Sequence, residues 1–252
     1  MKRTLIKLLN KLRYRKTIEI NIKIEECRHY CGFKYGNKIG INHLQDYIVG
    51  LKNGENKLAL RTQFIHFLSV YRPQYMSDAL NVELSKNYPL WALPWGRYTK
   101  DSFNCLDGWY EEPIDVPDIV TYYSKKGIFR YKIEEEFVWC EAAYRSIFHR
   151  GYLPLKYDNP ISVNKFVSLD GRFWYLVLDG NHRVAALHAK GEKQFKGILK
   201  YVYYEKNIEE WFSVKAGFFT IEDARSIFYA YLNGNIRHYY EDKPVRDLII
   251  ID

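Results

Sequence analysis

The sequence lacks several features that would assign it to a special class of protein. No apolar run approaches the roughly 20 residues that a membrane-spanning helix needs, and no apolar segment with a cleavage site follows the N-terminus. Cysteines number four in 252 residues, and charged residues make up 27% of the chain. We therefore expect a cytoplasmic globular protein with reduced thiols, and we exclude a disulfide scaffold, a coiled coil and a disordered chain.

Acidic residues are missing from the first sixteen positions, which hold seven lysines and arginines. Most of the net charge of +8 therefore lies there, and the rest of the chain is nearly neutral. Leucines recur at helical spacing in this segment, which predicts a basic amphipathic helix over 1–16. Such a helix can lie on the inner face of the cytoplasmic membrane or pack on the protein body. We expect no nucleic acid partner, because the body carries no basic surplus.

Cys27, His29 and Cys31 form a C-x-H-x-C cluster. The spacing is unusual for zinc, and the cluster supplies only three ligands. Zinc binding by this cluster is therefore a hypothesis that requires a fourth ligand from elsewhere in the chain.

A stretch rich in aromatic residues, 88–98, is interrupted by prolines. Trp91, Trp95 and Tyr98 offer flat faces beside Arg97, an arrangement that suits a saccharide acceptor. The alternative is that the indoles attach this irregular segment to the core, since large aromatics dominate core packing.

Periodicity predicts alternating strands and helices along most of the chain. The predicted strands are 17–24, 128–133, 161–169, 172–179 and 196–204. The predicted helices are 43–51, 57–71, 137–149, a short one after Gly180, 207–212 and 221–232. An acidic segment with two prolines, 111–118, is the best candidate boundary. It divides the chain into an N-terminal helix (1–16), an aromatic-rich α/β region (17–115), a nucleotide-binding domain (116–206) and a helical extension (207–252).

One segment combines residue types suited to binding an anion, namely Asp179, Gly180, Asn181, His182 and Arg183. A glycine between a strand and a helix allows a tight turn, and the amides that follow point out of the helix N-terminus. The arginine fork suits a phosphate. The alternative is an ordinary helix start with a capping aspartate and an exposed His-Arg pair.

The run from 128 to 204, and VLDGNHRVAAL at 177–187 in particular, resembles the ParB/sulfiredoxin superfamily. The resemblance implies an α+β fold with a small mixed sheet and a nucleotide phosphate at Gly180–Arg183. Asn181 replaces the cysteine that sulfiredoxin chemistry needs, and the segment after Tyr204 shows no DNA-recognition helix. The turn is most similar to that of the free-serine-kinase branch.

That resemblance implies an ATP-, ADP- or CTP-dependent kinase acting on a hydroxyl, with Mg²⁺ held partly by Asp179. A glutamate after the first strand would be the base, and we favour Glu135 over its neighbours Glu134 and Glu136. The resemblance, taken together with the aromatic stretch and the basic helix, suggests a saccharide or lipid-linked glycan as the acceptor. The alternative function is a ParB-like CTP-binding switch protein that binds DNA or a partner without modifying a substrate.

Overall fold

The computed structural model describes five parts of the chain, and the account below is restricted to them. They are residues 18–36, 42–97, 128–154, 159–234 and 250–251. The predicted basic helix over 1–16 lies outside the described residues, as does the predicted boundary at 111–118.

Helices and strands are both well represented, so the predicted α+β class is confirmed. The strands are β1 (Ile18–Lys23), β2 (Cys27–Arg28), β3 (Ile128–Phe129), β4 (Ser162–Val167), β5 (Phe173–Asp179), β6 (Gln194–Tyr204) and β7 (Ile250–Ile251). The α-helices are α1 (His43–Lys52), α2 (Lys57–Val70), α3 (Met76–Leu80), α4 (Arg130–Arg150), α5 (Asn181–Lys190), α6 (Phe212–Lys215) and α7 (Ile221–Asn233). Two 3-10 helices cover Ile24–Glu26 and Glu205–Glu210.

Five strands form one mixed sheet in the order β1-β6-β4-β5-β2, and β3 pairs separately with β7. β4 and β5 are antiparallel neighbours joined by the predicted tight turn. Gly171 adopts a positive φ of 83° there, and the Asp170 carboxylate accepts hydrogen bonds from the backbone N–H and the side chain of Arg172. After β5 the chain passes through α5 and enters β6, which lies beside β4 and runs parallel to it.

The edges of this sheet come from the N-terminal region of the sequence. β1 pairs antiparallel with β6, and β2 pairs in parallel with β5. The alternating pattern of β1 buries Ile22 completely. The aromatic-rich region and the predicted nucleotide-binding domain therefore share one sheet and one continuous hydrophobic core.

Aromatic side chains fill much of that core. Trp174 on β5 stacks on Phe166 at a centroid distance of 4.1 Å and on Tyr231 of α7 at 4.9 Å. Trp95 packs against the edge of Trp174. The helical extension is thus anchored to the sheet through a buried aromatic stack.

The prediction of a strand over 128–133 is wrong. Only 128 and 129 are in a strand, and α4 begins at Arg130. Ile133, Phe137 and Cys140 are buried at spacings of four and three residues, which is the pattern of one helical face. The short alternation in 128–133 fits either structure locally, and burial of this face selects the helix.

Within the described ranges, no helix combines the length and the apolar character that crossing a membrane would require.

Candidate functional site

The corner between β5 and α5 is built around Gly180. Its φ is +98°, a left-handed conformation that favours glycine. A Cβ at this position would lie 2.8 Å from Cγ1 of Ile161 and 3.0 Å from Nη2 of Arg183. Glycine is therefore required at this position for two reasons, the backbone angle and the close approach of Arg183.

The N-terminus of α5 has no side-chain cap. The first intrahelical hydrogen bond runs from the amide of Val184 to the carbonyl of Gly180 at 2.9 Å. The amides of Asn181, His182 and Arg183 therefore have no partner inside the helix. All three residues are half-buried, so the corner is open in part to solvent.

Asn181 is held from the N-terminal region of the chain. The buried Tyr35 hydroxyl donates to Oδ1 of Asn181 at 2.6 Å. Burial raises the pKa of Tyr35 well above its ordinary value, so the phenol stays a neutral donor. This contact fixes the start of α5 against the loop that follows β2.

Arg183 folds back over the turn. Its Nη2 lies 3.1 Å from Oδ1 of Asp179, whose side chain is 57% exposed, and its Nη1 donates to the carbonyl of Asn159. A guanidinium carries five N–H donors. Arg183 is therefore positioned by these two contacts and retains donors for a further acceptor.

His182 is paired with a buried carboxylate on α4. Nε2 of His182 lies 2.6 Å from Oε2 of Glu136, and Glu136 is only 6% exposed. The indole of Trp139 meets the imidazole edge-on, with ring centroids 5.6 Å apart. The more accessible partner of the pair is the imidazole.

The other two glutamates of the run point elsewhere. Glu134 pairs with Arg61 at 3.3 Å, and Glu135 pairs with Lys132 at 3.4 Å. Successive helical residues are rotated by about 100°, so three adjacent carboxylates face three directions. Of the three, Glu136 is the one that contacts the Asp179–Arg183 turn.

Two lysine contacts hold α5 against its neighbours. Lys52 of α1 donates to the carbonyl of Ala189 at 2.8 Å, and Lys190 donates to the carbonyl of Ile147 on α4 at 3.0 Å. Both bonds satisfy backbone carbonyls near helix C-termini, where a positive charge is favourable. Packing of α5 on α1 and α4 thus fixes His182 beside Glu136.

The interior behind this pair contains two buried histidines and a cysteine. Burial, together with the neighbouring His182, lowers the pKa of His29 to about 3, and burial lowers the pKa of His43 well below its ordinary value. Both imidazoles are therefore neutral at pH 7. Burial and the nearby Glu136 raise the pKa of Cys140 well above its ordinary value, so its thiol is protonated.

Two of the residues expected to bind a saccharide are covered by other parts of the protein. Trp91 is 5% exposed and Trp95 is 7% exposed, and both belong to the core. A ring that is already covered cannot stack on a sugar, so the packing alternative describes these two indoles. Arg97 is exposed, and Tyr98 lies outside the described residues.

The three cysteines in the described residues are all free and buried. Across the described segments, the group of His, Cys, Asp and Glu donors that comes together is Glu136, Cys140 and His182, with their ligand atoms within 4.8 Å of one another. The C-x-H-x-C cluster of Cys27, His29 and Cys31 does not form such a group.

Sequence analysis missed the contributions of Tyr35 and Cys140. Tyr35 is 146 positions from its partner Asn181, and no local pattern marks a contact at that separation. Cys140 lies four residues after Glu136 on one helical face, a spacing that gains meaning only once His182 is placed opposite.

A scan of protein-family models and a search of the curated proteins both find no match for this chain.

Proposed function

We propose that this protein is a nucleotide-dependent phosphotransferase that binds a nucleotide's phosphates at the β5–α5 corner. The supporting observation is the uncapped N-terminus of α5, where three amides without helical partners stand beside the guanidinium of Arg183. Helix N-termini favour anions because the amides and the helix dipole both present positive charge. Arginine adds a planar fork that matches two phosphate oxygens.

The acceptor is a hydroxyl compound, and Glu136 with His182 takes its proton. The hydroxyl oxygen bonds to the terminal phosphorus, and the bond from that phosphorus to the bridging oxygen breaks. The nucleotide leaves with one phosphate fewer, as the diphosphate from ATP or CTP and as the monophosphate from ADP. Phosphoryl transfer of this kind depends mostly on positioning and charge neutralisation. Glu136 replaces Glu135 as the favoured base, because its carboxylate touches the turn at 2.6 Å.

Mg²⁺ fits the residues at this corner. The cation prefers oxygen ligands and commonly binds through one or two carboxylates together with the substrate phosphates. Asp179 engages Arg183 through Oδ1 and has a largely exposed side chain, so it would hold the ion. When bound, Mg²⁺ neutralises charge on the phosphates.

A saccharide acceptor remains a proposal without support from Trp91 and Trp95, because both indoles are buried. The acceptor panel should therefore include small hydroxyl compounds such as amino acids as well as sugars and lipid-linked glycans.

Nucleotide binding is tested by thermal shift with ATP, ADP and CTP, each with Mg²⁺. A ligand at 100 times its Kd stabilises the native state by about 2.7 kcal/mol, which corresponds to about 5–10 °C in Tm for a chain of this size. We expect Arg183→Ala to remove most of that shift. Arg172→Ala is the matched control, because Arg172 also pairs with an aspartate but lies in the β4–β5 turn.

Transfer is tested by mass spectrometry of the acceptor panel, in which a product gains one phosphoryl group. An equal shift in both arginine variants, or no shift with any nucleotide, would contradict the proposal. A shift with CTP alone, with salt-sensitive binding to duplex DNA and no phosphorylated product, would instead favour the switch protein.

A further inference from the structure

We propose that Glu136, Cys140 and His182 form a binding site for a zinc-class divalent cation. Their ligand atoms lie within 4.8 Å of one another. Zinc bonds of about 2.0–2.3 Å in tetrahedral geometry place the ligand atoms about 3.5 Å apart. Small movements of three side chains therefore complete the site without moving the backbone.

The two helices that carry these residues hold them in place. Glu136 and Cys140 are separated by four residues on α4, so both project from one face of the helix. His182 is the second residue of α5, and α5 is packed on α4 and tied to it by the Lys190–Ile147 hydrogen bond. A site on packed helices is more precise than a site on loops.

The donor set favours zinc over magnesium. One thiolate sulfur, one imidazole nitrogen and one carboxylate oxygen suit zinc or cobalt, whereas Mg²⁺ prefers oxygen ligands alone. Three protein ligands leave a fourth position, as in zinc sites that bind water or substrate. Glu136 and Cys140 are buried and His182 is half-buried, so water or substrate would reach the fourth position from the side of His182.

Binding balances in charge and protons. The sulfur–metal bond forms as the thiol releases its proton to solvent. The proton shared between Nε2 of His182 and Glu136 also leaves, to solvent or to Nδ1 of the same ring, and Nε2 then binds through its lone pair. The Glu136–His182 hydrogen bond is exchanged for two metal bonds.

This site has a consequence that rests on the proposed function. Zinc occupies the same carboxylate and imidazole that take the proton during phosphoryl transfer, so zinc binding and transfer exclude each other. Zinc would then act as an inhibitor of the transferase.

The test uses the full chain after chelator treatment, titrated with Co²⁺ and Zn²⁺ in the absence of nucleotide. We expect one metal ion per chain by native mass spectrometry and a thiolate-to-cobalt charge-transfer band in the near ultraviolet. Cys140→Ser should abolish the band and weaken zinc binding by about 100-fold or more, since even residues that only support metal ligands change affinity by about 10–100-fold. Cys31→Ser is the matched control, because Cys31 is also a buried free cysteine and should leave both signals intact.

His182→Gln is the second variant, chosen because its partly exposed position tolerates substitution better than that of Cys140. Circular dichroism confirms that each variant is folded. The proposed site is overturned if the wild type shows no cobalt band, or if Cys140→Ser binds zinc as tightly as the wild type does. It is also overturned if Cys31→Ser loses zinc binding, because the metal would then be bound by the C-x-H-x-C cluster.

Failure of the proposed function is recognised separately, because metal binding is measured without nucleotide or acceptor. If transfer occurs, each variant is compared with its own rate in the absence of zinc. We expect zinc to inhibit the wild type strongly and Cys140→Ser weakly; equal inhibition of the two would overturn the exclusive-binding consequence.

Discussion

Gly180 decides what the residues around it can do. Its left-handed backbone turns the chain from β5 into α5, and the space above its Cα is filled by the guanidinium of Arg183. With a side chain there, Arg183 would be displaced from Asp179 and the amides of α5 would be partly covered. The anion binding that we propose for this corner therefore depends on the absence of a methyl group at position 180.

Replacement of Gly180 by alanine can be compared with the same replacement at Gly191, at the other end of α5. Both glycines have a φ of 98°, but a Cβ at Gly191 meets nothing within 4 Å. We expect Gly191→Ala to lower the free energy of unfolding by about 1–2 kcal/mol for the backbone alone. Gly180→Ala should cost about 1–3 kcal/mol more, the usual cost of overpacking, because buried Ile161 cannot move away.

Urea denaturation of the two variants measures this difference. Equal loss of stability would show that the close approach at Gly180 has no energetic weight.

Helix α4 determines which of three consecutive glutamates belongs to the site. Adjacent positions in a helix face different directions, so Glu134 meets Arg61 and Glu136 meets His182. Because a strand was expected over 128–133, the sequence analysis placed the glutamates after a strand and favoured Glu135. The helix begins at Arg130, seven residues before its predicted start at Phe137, so all three glutamates lie inside it and each carboxylate takes its direction from the helix.

Substitution of Glu134 and of Glu136 should have different effects on the rate of phosphoryl transfer. General bases typically contribute about 10²–10⁴-fold to a rate, so we expect Glu136→Gln to lower kcat for transfer by at least about 100-fold. Glu134→Gln removes an exposed ion pair, and such pairs contribute little, so kcat should change by less than about twofold.

The comparison is made by steady-state kinetics with an acceptor that the wild-type protein phosphorylates, and the Tm of each variant is measured as a check on folding. A larger loss of kcat in Glu134→Gln than in Glu136→Gln would contradict the assignment of the base.

At the scale of the whole molecule, the sheet is assembled from distant parts of the chain. β1 and β2 cover the outer edges of β6 and β5, and both come from the region predicted to form a separate acceptor side. Tyr35, which anchors Asn181, comes from that region as well. The site therefore depends on residues on both sides of the predicted boundary.

A fragment spanning 116–206 should fail to fold by itself. Without β1 and β2, two strand edges would be exposed, and the core would lose the aromatic side chains of α1 and α2. We expect no cooperative thermal transition by circular dichroism, in contrast to a single transition in the full chain. A cooperative melt of the fragment would show that the predicted domain is autonomous.

The sequence alone determined the features that depend on near neighbours in the chain. The β4–β5 turn follows from Asp170-Gly171, the corner before α5 follows from Gly180 between a strand and a helix, and hydrophobic periodicity located most elements within a few residues. These features are encoded locally, because backbone preference and the period of apolar residues act over one or two turns.

Only the tertiary structure decided which side chains meet. It brought Tyr35 to Asn181, selected Glu136 from three adjacent glutamates, placed Cys140 beside His182 and buried Trp91 and Trp95. Such contacts join positions far apart in sequence, and they form because the apolar faces of the helices and of the sheet must be buried against one another. Packing of whole elements sets these distances, and no local pattern of residues records them.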